Sequence, residues 1–398
     1  LPQISAPVPL APNESWKEED PMKVKAAVMY EQGLPAPYVD STPLVIESIE
    51  LEGPQDDEVL VEVVAAGLCH SDLSQVAGLR KRRLPVVCGH EGAGIVRDVG
   101  KGVKTLKSGD HVVMTVASGC GHCRPCLSGK PALCDAMGAS RSQGLLPNGR
   151  TKLSLNGNPL YHYSGISSFA EYSVTVPGAL IKIDPSIPLD VAAMFGCAVL
   201  TGAGSVFNAA KPRPGQHVAV IGLGGVGLNA VMAAKIVGAS TIIGIDINEG
   251  KFPIATELGC THTFSALDDN LVEKIRDLTQ GGVDYVIEVS GARPAMKTAH
   301  AIVCKGGEIV CVGLGASEDM YEYAHATLVG QGRKVSGCFM GDCHAERDIE
   351  TYSRLFLNGQ MPIDKLKSDQ ISFEQLNLSL DQLHRGEVVR QILMPNAR

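Results

Sequence analysis

The spacing of apolar positions changes character about halfway along the chain. In the first half, apolar residues come in short alternating runs. Lys23–Val28, Val59–Ala66 and Gly94–Val99 read as strands, punctuated by clusters such as Ser108-Gly109-Asp110. This predicts a mainly β region over residues 22–198. From about residue 199, helical and strand patterns alternate. Ala198–Ala210 has a helical pattern, Pro212, Pro214 and Gly215 break it, and His217–Ile221 is a short apolar strand. A glycine turn then opens a helix of small apolar residues, Val226–Val237. Strands follow at Thr241–Asp246, Val283–Val289 and Glu308–Val312. That alternation predicts a parallel, doubly wound sheet. After about residue 341 the pattern is mixed and ends in a strand, Val388–Leu393.

A chain of 398 residues has room for two domains, and 44% hydrophobic with 20% charged residues suits a packed globular protein. The net charge of −8 and the 5% aromatic content argue against a nucleic-acid partner, which needs clustered cations and stacking rings. No apolar run reaches the length of a membrane span. Leu1–Pro21 is Pro-rich and polar, without the basic end and apolar centre of an export signal. It is expected to be a flexible tail or tag remnant, and the protein is expected in the cytoplasm.

Gly222-Leu223-Gly224-Gly225-Val226-Gly227 fits G-x-G-x-x-G. The pattern is weak alone and gains its force from lying between a buried-type strand and a helix, where glycines let a pyrophosphate approach free N–H groups. Asp246 ends the second strand, nineteen residues after Gly227. A carboxylate there accepts hydrogen bonds from ribose hydroxyls and repels the extra phosphate of NADP, so NAD is the expected cofactor.

Cys120, Cys123, Cys126 and Cys134 form C-x2-C-x2-C-x7-C in a Gly- and Pro-rich stretch. Four thiolates at this spacing match a closed structural zinc site, with disulfides or an iron–sulfur cluster as alternatives. Cys69-His70-Ser71-Asp72, Gly89-His90-Glu91-Gly92 and Phe195-Gly196-Cys197 offer two further Cys and one His. Three protein ligands and an open position are what a catalytic zinc needs.

With these motifs in this order and spacing, the chain resembles the zinc-containing medium-chain alcohol dehydrogenases over residues 22–398. The resemblance implies a GroES-like catalytic domain at residues 22–198 and 340–398 and a Rossmann-like cofactor domain at residues 199–339. It implies two zinc ions per chain. Cys69, His90 and Cys197 would hold the catalytic one, with Glu91 close by, Asp72 orienting His90 and Ser71 taking the proton of the substrate alcohol. Thr201 would pack by the nicotinamide, Lys251 would contact the ribose, and Arg390 and His70 would reach the phosphates. The expected activity is reversible hydride transfer between an alcohol and NAD, and the expected assembly is a homodimer. The chain departs from many relatives in having Ser74, rather than His, five residues after the first zinc cysteine.

By the same resemblance, Val116, Leu133, Ala139, Tyr163, Leu314 and Phe339 would line the substrate pocket. Val116 and Ala139 replace larger side chains, which implies room for bulky or aromatic alcohols. Arg80-Lys81-Arg82-Arg83 borders the expected entrance. It reads first as a solvated loop, and more sharply as an attractor of anionic substrates. Its charge disfavours the glutathione-linked formaldehyde oxidation that accompanies acidic groups there. The alternatives are a same-fold enzyme for a polyol or thiol-adduct aldehyde, or a non-enzymatic zinc and NAD redox sensor.

Overall fold

The computed structural model describes residues 21–316 and 318–396. The predicted tail, apart from Pro21, lies outside the described residues. The strands form three sheets. Two belong to a β-rich lobe: a closed barrel that includes Met22–Met29 and Val45–Leu51, and a larger sheet centred on Val59–Leu68. Val59–Leu68 pairs with Gly92–Val99 on one side and with Arg390–Leu393 on the other, so the end of the chain is built into this lobe. The third sheet has six parallel strands drawn from residues 217–337.

The order in that sheet is His262–Ser265, Thr241–Asp246, His217–Ile221, Val283–Glu288, Val303–Cys311, Lys334–Gly337. The chain winds outward in one direction and then in the other. The reversal falls between His217–Ile221 and Val283–Glu288, the place where such sheets open a crevice at the strand ends. The central strands are buried, which explains their unbroken apolar character. The expected fold class is thus observed.

The differences from the sequence reading have local causes. His262–Ser265 and Lys334–Gly337 are short edge strands without fully buried side chains, and so carry little apolar pattern. The strand expected at Glu308–Val312 begins earlier, at Val303. The region read as mainly β also holds a helix, Asp135–Gln143, with only one buried residue. The helix expected over Ala198–Ala210 is α-helical through Gly204 and widens to a π-helix over Ser205–Ala210.

Helix Ala198–Gly204 couples the two halves. It packs on the helix after the glycine turn, Gly225–Ile236, so closely that a Cβ at Gly202 would run into the Val226 carbonyl. Cys197 is its N-cap. A candidate metal ligand is therefore fixed relative to the candidate cofactor turn by one backbone contact.

Candidate active site

Cys69 is the N-cap of a short helix, His70–Val76, in extended backbone conformation, and its side chain and that of Asp72 form a capping box there. Asp72, three residues on, reaches back: its Oδ2 accepts the Cys69 N–H at 3.0 Å, while its Oδ1 lies 2.9 Å from His90 Nδ1. A carboxylate only accepts, so Nδ1 of His90 is the donor and Nε2 is left as the free ring nitrogen. That Nε2 is buried and has no hydrogen-bond partner. The third member, Cys197, is set by Gly196, whose carbonyl accepts from Thr115 Oγ1 at 2.8 Å. The ligand atoms of Cys69, His90 and Cys197 lie within 4.8 Å of one another, all on buried residues.

The electrostatics agree with a cation site. A hydrogen bond from the Cys197 thiol holds Cys69 well below the ordinary thiol range, against its burial, and Arg390 and His90 add to the pull. The same hydrogen bond, with burial, pushes Cys197 well above that range. Burial opposes a charged His90, but Asp72 outweighs it and the net shift is upward. A divalent cation would replace the shared proton and hold both sulfurs as thiolates. The orphaned His90 nitrogen and the two sulfurs thus fit zinc with a position left for substrate.

The second cluster lies in the loop that predicts it. Cys123 Sγ is 3.4 Å from Cys126 Sγ and 3.8 Å from Cys134 Sγ, and the Cys120 N–H donates to Cys134 Sγ at 3.3 Å. These spacings are far beyond a disulfide bond of about 2.05 Å. They approach the edge of roughly 3.8 Å expected of a tetrahedron with Zn–S near 2.3 Å. All twelve cysteines are unpaired. Backbone N–H groups of His122 and Cys123 point at Cys120 and lower its thiol to about 6. All four sulfurs are within 4.8 Å of one another, which leaves no open position. Of the other cysteines, Cys88, Cys260, Cys338 and Cys343 are buried, and Cys304 and Cys311 are partly so.

The glycine turn has the geometry of a phosphate cradle. Gly222 has φ +100°, which a side chain would strain, and a Cβ on Gly227 would run into the Gly222 carbonyl. Gly224 is different: its φ is −89°, and a Cβ would meet nothing within 4 Å. The fold leaves Gly224 open, as a ligand that approaches the backbone would require. Val226 follows in the first turn of the helix. Beneath lies Arg390, whose Nη2 would be 2.7 Å from a Cβ on Gly225. Arg390 is buried and pairs with Glu91 Oε1 at 2.8 Å. Burial raises Glu91 to about 7, although Arg390 pulls the other way.

Asp246 is buried at the end of its strand. Its Oδ2 accepts the Leu223 N–H at 2.7 Å and its Oδ1 the Asn248 N–H at 2.9 Å, and Lys251 Nζ is 3.2 Å from Oδ2. His70 faces the same group of charges: desolvation lowers its pKa, Cys69 opposes this, and Arg390 and Lys251 reinforce it. Thr201, on the bridging helix, bonds Met340 Sδ through Oγ1 at 3.7 Å. Ser71 is half-buried, and its carbonyl accepts from Tyr163 Oη at 3.4 Å.

Of the six expected pocket residues, Tyr163 and Val116 are buried and Phe339 is partly buried. Tyr163 packs 5.5 Å from the His90 ring. Leu133, Ala139 and Leu314 are exposed. Arg141 was not signalled by the sequence, because it stands alone on a polar helix. Its guanidinium is 6.0 Å from the Phe339 ring centre, and its Nη1 donates to the Val116 carbonyl at 2.5 Å. The basic run is not a uniformly solvated loop. Arg80 and Arg82 are half-buried, Arg80 Nη2 donates to the Leu314 carbonyl at 3.1 Å, and Arg83 lies 4.4 Å over the Tyr161 ring.

Comparison with known proteins agrees with this geometry. Residues 55–185 match the alcohol dehydrogenase GroES-like domain family, and residues 225–358 match the zinc-binding dehydrogenase family. Alcohol dehydrogenase class-P of Arabidopsis thaliana is 35% identical over 381 residues, covering 94% of this chain and 98% of its own. S-(hydroxymethyl)glutathione dehydrogenase of Paracoccus denitrificans is 35% identical over 383 residues, covering 94% of this chain and 100% of its own. Among solved structures, an alcohol dehydrogenase zinc-binding domain protein from Burkholderia ambifaria superposes with TM-score 0.88 at 36% identity, covering 95% of this chain and 100% of its own. Benzyl alcohol dehydrogenase from Acinetobacter calcoaceticus gives TM-score 0.87 at 30% identity, with 94% and 99% covered. The chain belongs to the zinc-containing medium-chain alcohol dehydrogenase family, oxidoreductases that act on CH–OH groups with zinc and a nicotinamide cofactor.

Proposed function

We propose that this enzyme interconverts bulky or aromatic alcohols and their carbonyl compounds, with NAD as the hydride carrier. The observation that carries the reading is the unpartnered His90 Nε2 between two sulfurs, beside the ring of Tyr163. A redox sensor has no need of an open metal position. Zinc, when bound there, supplies Lewis acidity toward the substrate oxygen.

The chain's own groups do the rest. Asp72 fixes the His90 tautomer. Ser71 Oγ accepts the proton of the substrate hydroxyl and hands it to water, because Ser74 offers no imidazole to continue the relay. Arg390 and the turn at Gly222–Gly227 hold the pyrophosphate, Asp246 and Lys251 the adenosine ribose, and Thr201 the nicotinamide side of the cleft. Asp246 makes NAD the preferred cofactor over NADP by charge repulsion.

Val116 and Tyr163, both buried, give the expected pocket one small side chain and one aromatic one. The name of the benzyl alcohol dehydrogenase at 30% identity points the same way. Initial rates with ethanol, longer primary, secondary and benzylic alcohols test the reading. Benzylic alcohols should have the highest kcat/KM, with NAD well ahead of NADP. A large preference for ethanol would overturn the substrate class but leave the reaction class standing. Subunits are expected to associate as a homodimer, which sedimentation will check.

A further inference from the structure

We propose that Arg82 and Arg141 form an anion subsite at the far end of the substrate pocket, so that the substrate carries a carboxylate remote from the reacting carbon. The inference rests on the pocket assigned above and names the substrate class within it.

Arg82 Cζ lies 5.2 Å from the centre of the Tyr163 ring, the same ring that packs against the candidate zinc ligand His90. Its Nη1 donates to the Arg141 carbonyl at 2.9 Å, and its backbone N–H donates to Gln32 Oε1 at 2.8 Å. The Arg141 guanidinium donates to two carbonyls, Val116 at 2.5 Å and Ala132 at 3.5 Å, and sits over Phe339. Three residues expected to line the pocket are thus each touched by one of two guanidinium groups: Val116 at its backbone carbonyl, Tyr163 and Phe339 at their rings.

Among the described residues, neither arginine is within salt-bridge distance of a carboxylate; their partners are neutral carbonyls and aromatic faces. Burial lowers the pKa of Arg141, Cys134 opposes this, and the charge of Arg82 adds to it; an anion bound by the two guanidinium groups would offset their mutual repulsion. A guanidinium suits a carboxylate in particular, because its planar fork matches the two oxygens. The aromatic faces of Tyr163 and Phe339 suit a flat spacer between that carboxylate and the reacting alcohol. A glutathione adduct would present the same chemistry with its own carboxylates.

The test compares 4-(hydroxymethyl)benzoate with 4-(hydroxymethyl)benzamide, which have nearly the same size and differ in charge, and includes benzyl alcohol and S-(hydroxymethyl)glutathione. The wild-type enzyme should prefer the benzoate over the benzamide by about 10-fold or more in kcat/KM, less so as salt rises. R82Q should abolish that preference mainly through KM, and R82K should restore part of it. Equal kcat/KM for benzoate and benzamide in the wild-type enzyme would overturn the subsite, whatever the variants do. So would an R82Q variant that slows all substrates by one common factor, which marks a structural arginine. A benzoate preference accompanied by turnover of the glutathione adduct, both weakened in R82Q, keeps the subsite and adds the adduct as a source of carboxylate. Failure to turn over any benzylic alcohol, with ethanol accepted, would instead remove the parent reading of the pocket.

Discussion

Arg390 and Glu91 meet at 2.8 Å beneath the glycine turn, with the arginine 3% exposed and the glutamate 0%. The pair joins the last strand of the chain to the residue after His90, and the second donor contact of Arg390 Nη1 is the Leu68 carbonyl at 3.0 Å, next to Cys69. One buried cation therefore touches the candidate metal site and the candidate cofactor turn together. R390A removes the cation and leaves a buried carboxylate, a change that costs about 3–5 kcal/mol when a buried pair is broken. It should lower the Tm and raise the KM for NAD more than the KM for the alcohol. Thermal unfolding and steady-state kinetics check this, and equal effects on both KM values would count against a phosphate contact.

Asp246 accepts the Leu223 and Asn248 N–H groups, and is the residue proposed above to meet the ribose. In D246A the repulsion toward a 2′-phosphate is gone. The ratio of kcat/KM for NAD over NADP should fall by about 10-fold or more. A rise in KM for both cofactors with the ratio unchanged would show that Asp246 acts only on the turn.

Cys126 belongs to the closed four-sulfur cluster, away from the open one. C126S should reduce bound zinc from two ions per chain to one, by metal analysis, and lower the Tm by ~5 °C or more. Two zinc ions in the variant would refute the ligand set.

His162 is buried, and its Nε2 accepts the Lys152 N–H at 3.3 Å, while Nδ1 faces Ser167 Oγ at 3.3 Å. Burial, helped by the charge of Lys152, lowers its pKa to about 3. The folded protein thus keeps this imidazole neutral, while the unfolded chain takes up a proton near the ordinary value of about 6.5. Above that pH the group has no effect on the pH dependence. As pH falls from about 6.5 toward 3, the unfolded state gains protons that the folded state does not, and stability is lost at up to about 1.4 kcal/mol per pH unit. H162Q should flatten the wild-type slope of stability between pH 6.5 and 4, as read by denaturant unfolding. Parallel slopes would show that His162 does not govern it.

The sequence by itself determined the order of the chemistry: the four-cysteine loop, the glycine turn between a strand and a helix, and Asp246 at the next strand's end. Each is legible because its function needs fixed residue types within one short stretch of backbone, and buried central strands such as His217–Ile221 reveal themselves by unbroken apolar runs. Edge strands such as Lys334–Gly337 stay hidden, since a half-exposed strand imposes little pattern. Only the tertiary structure brings Cys197 to within reach of Cys69 and His90, or sets Arg390 between Glu91 and Gly225. It alone turns Arg82 and Arg141 onto the rings of Tyr163 and Phe339. These contacts join residues tens to hundreds of positions apart, through packing such as that of Gly202 on Val226, and no local spacing encodes them.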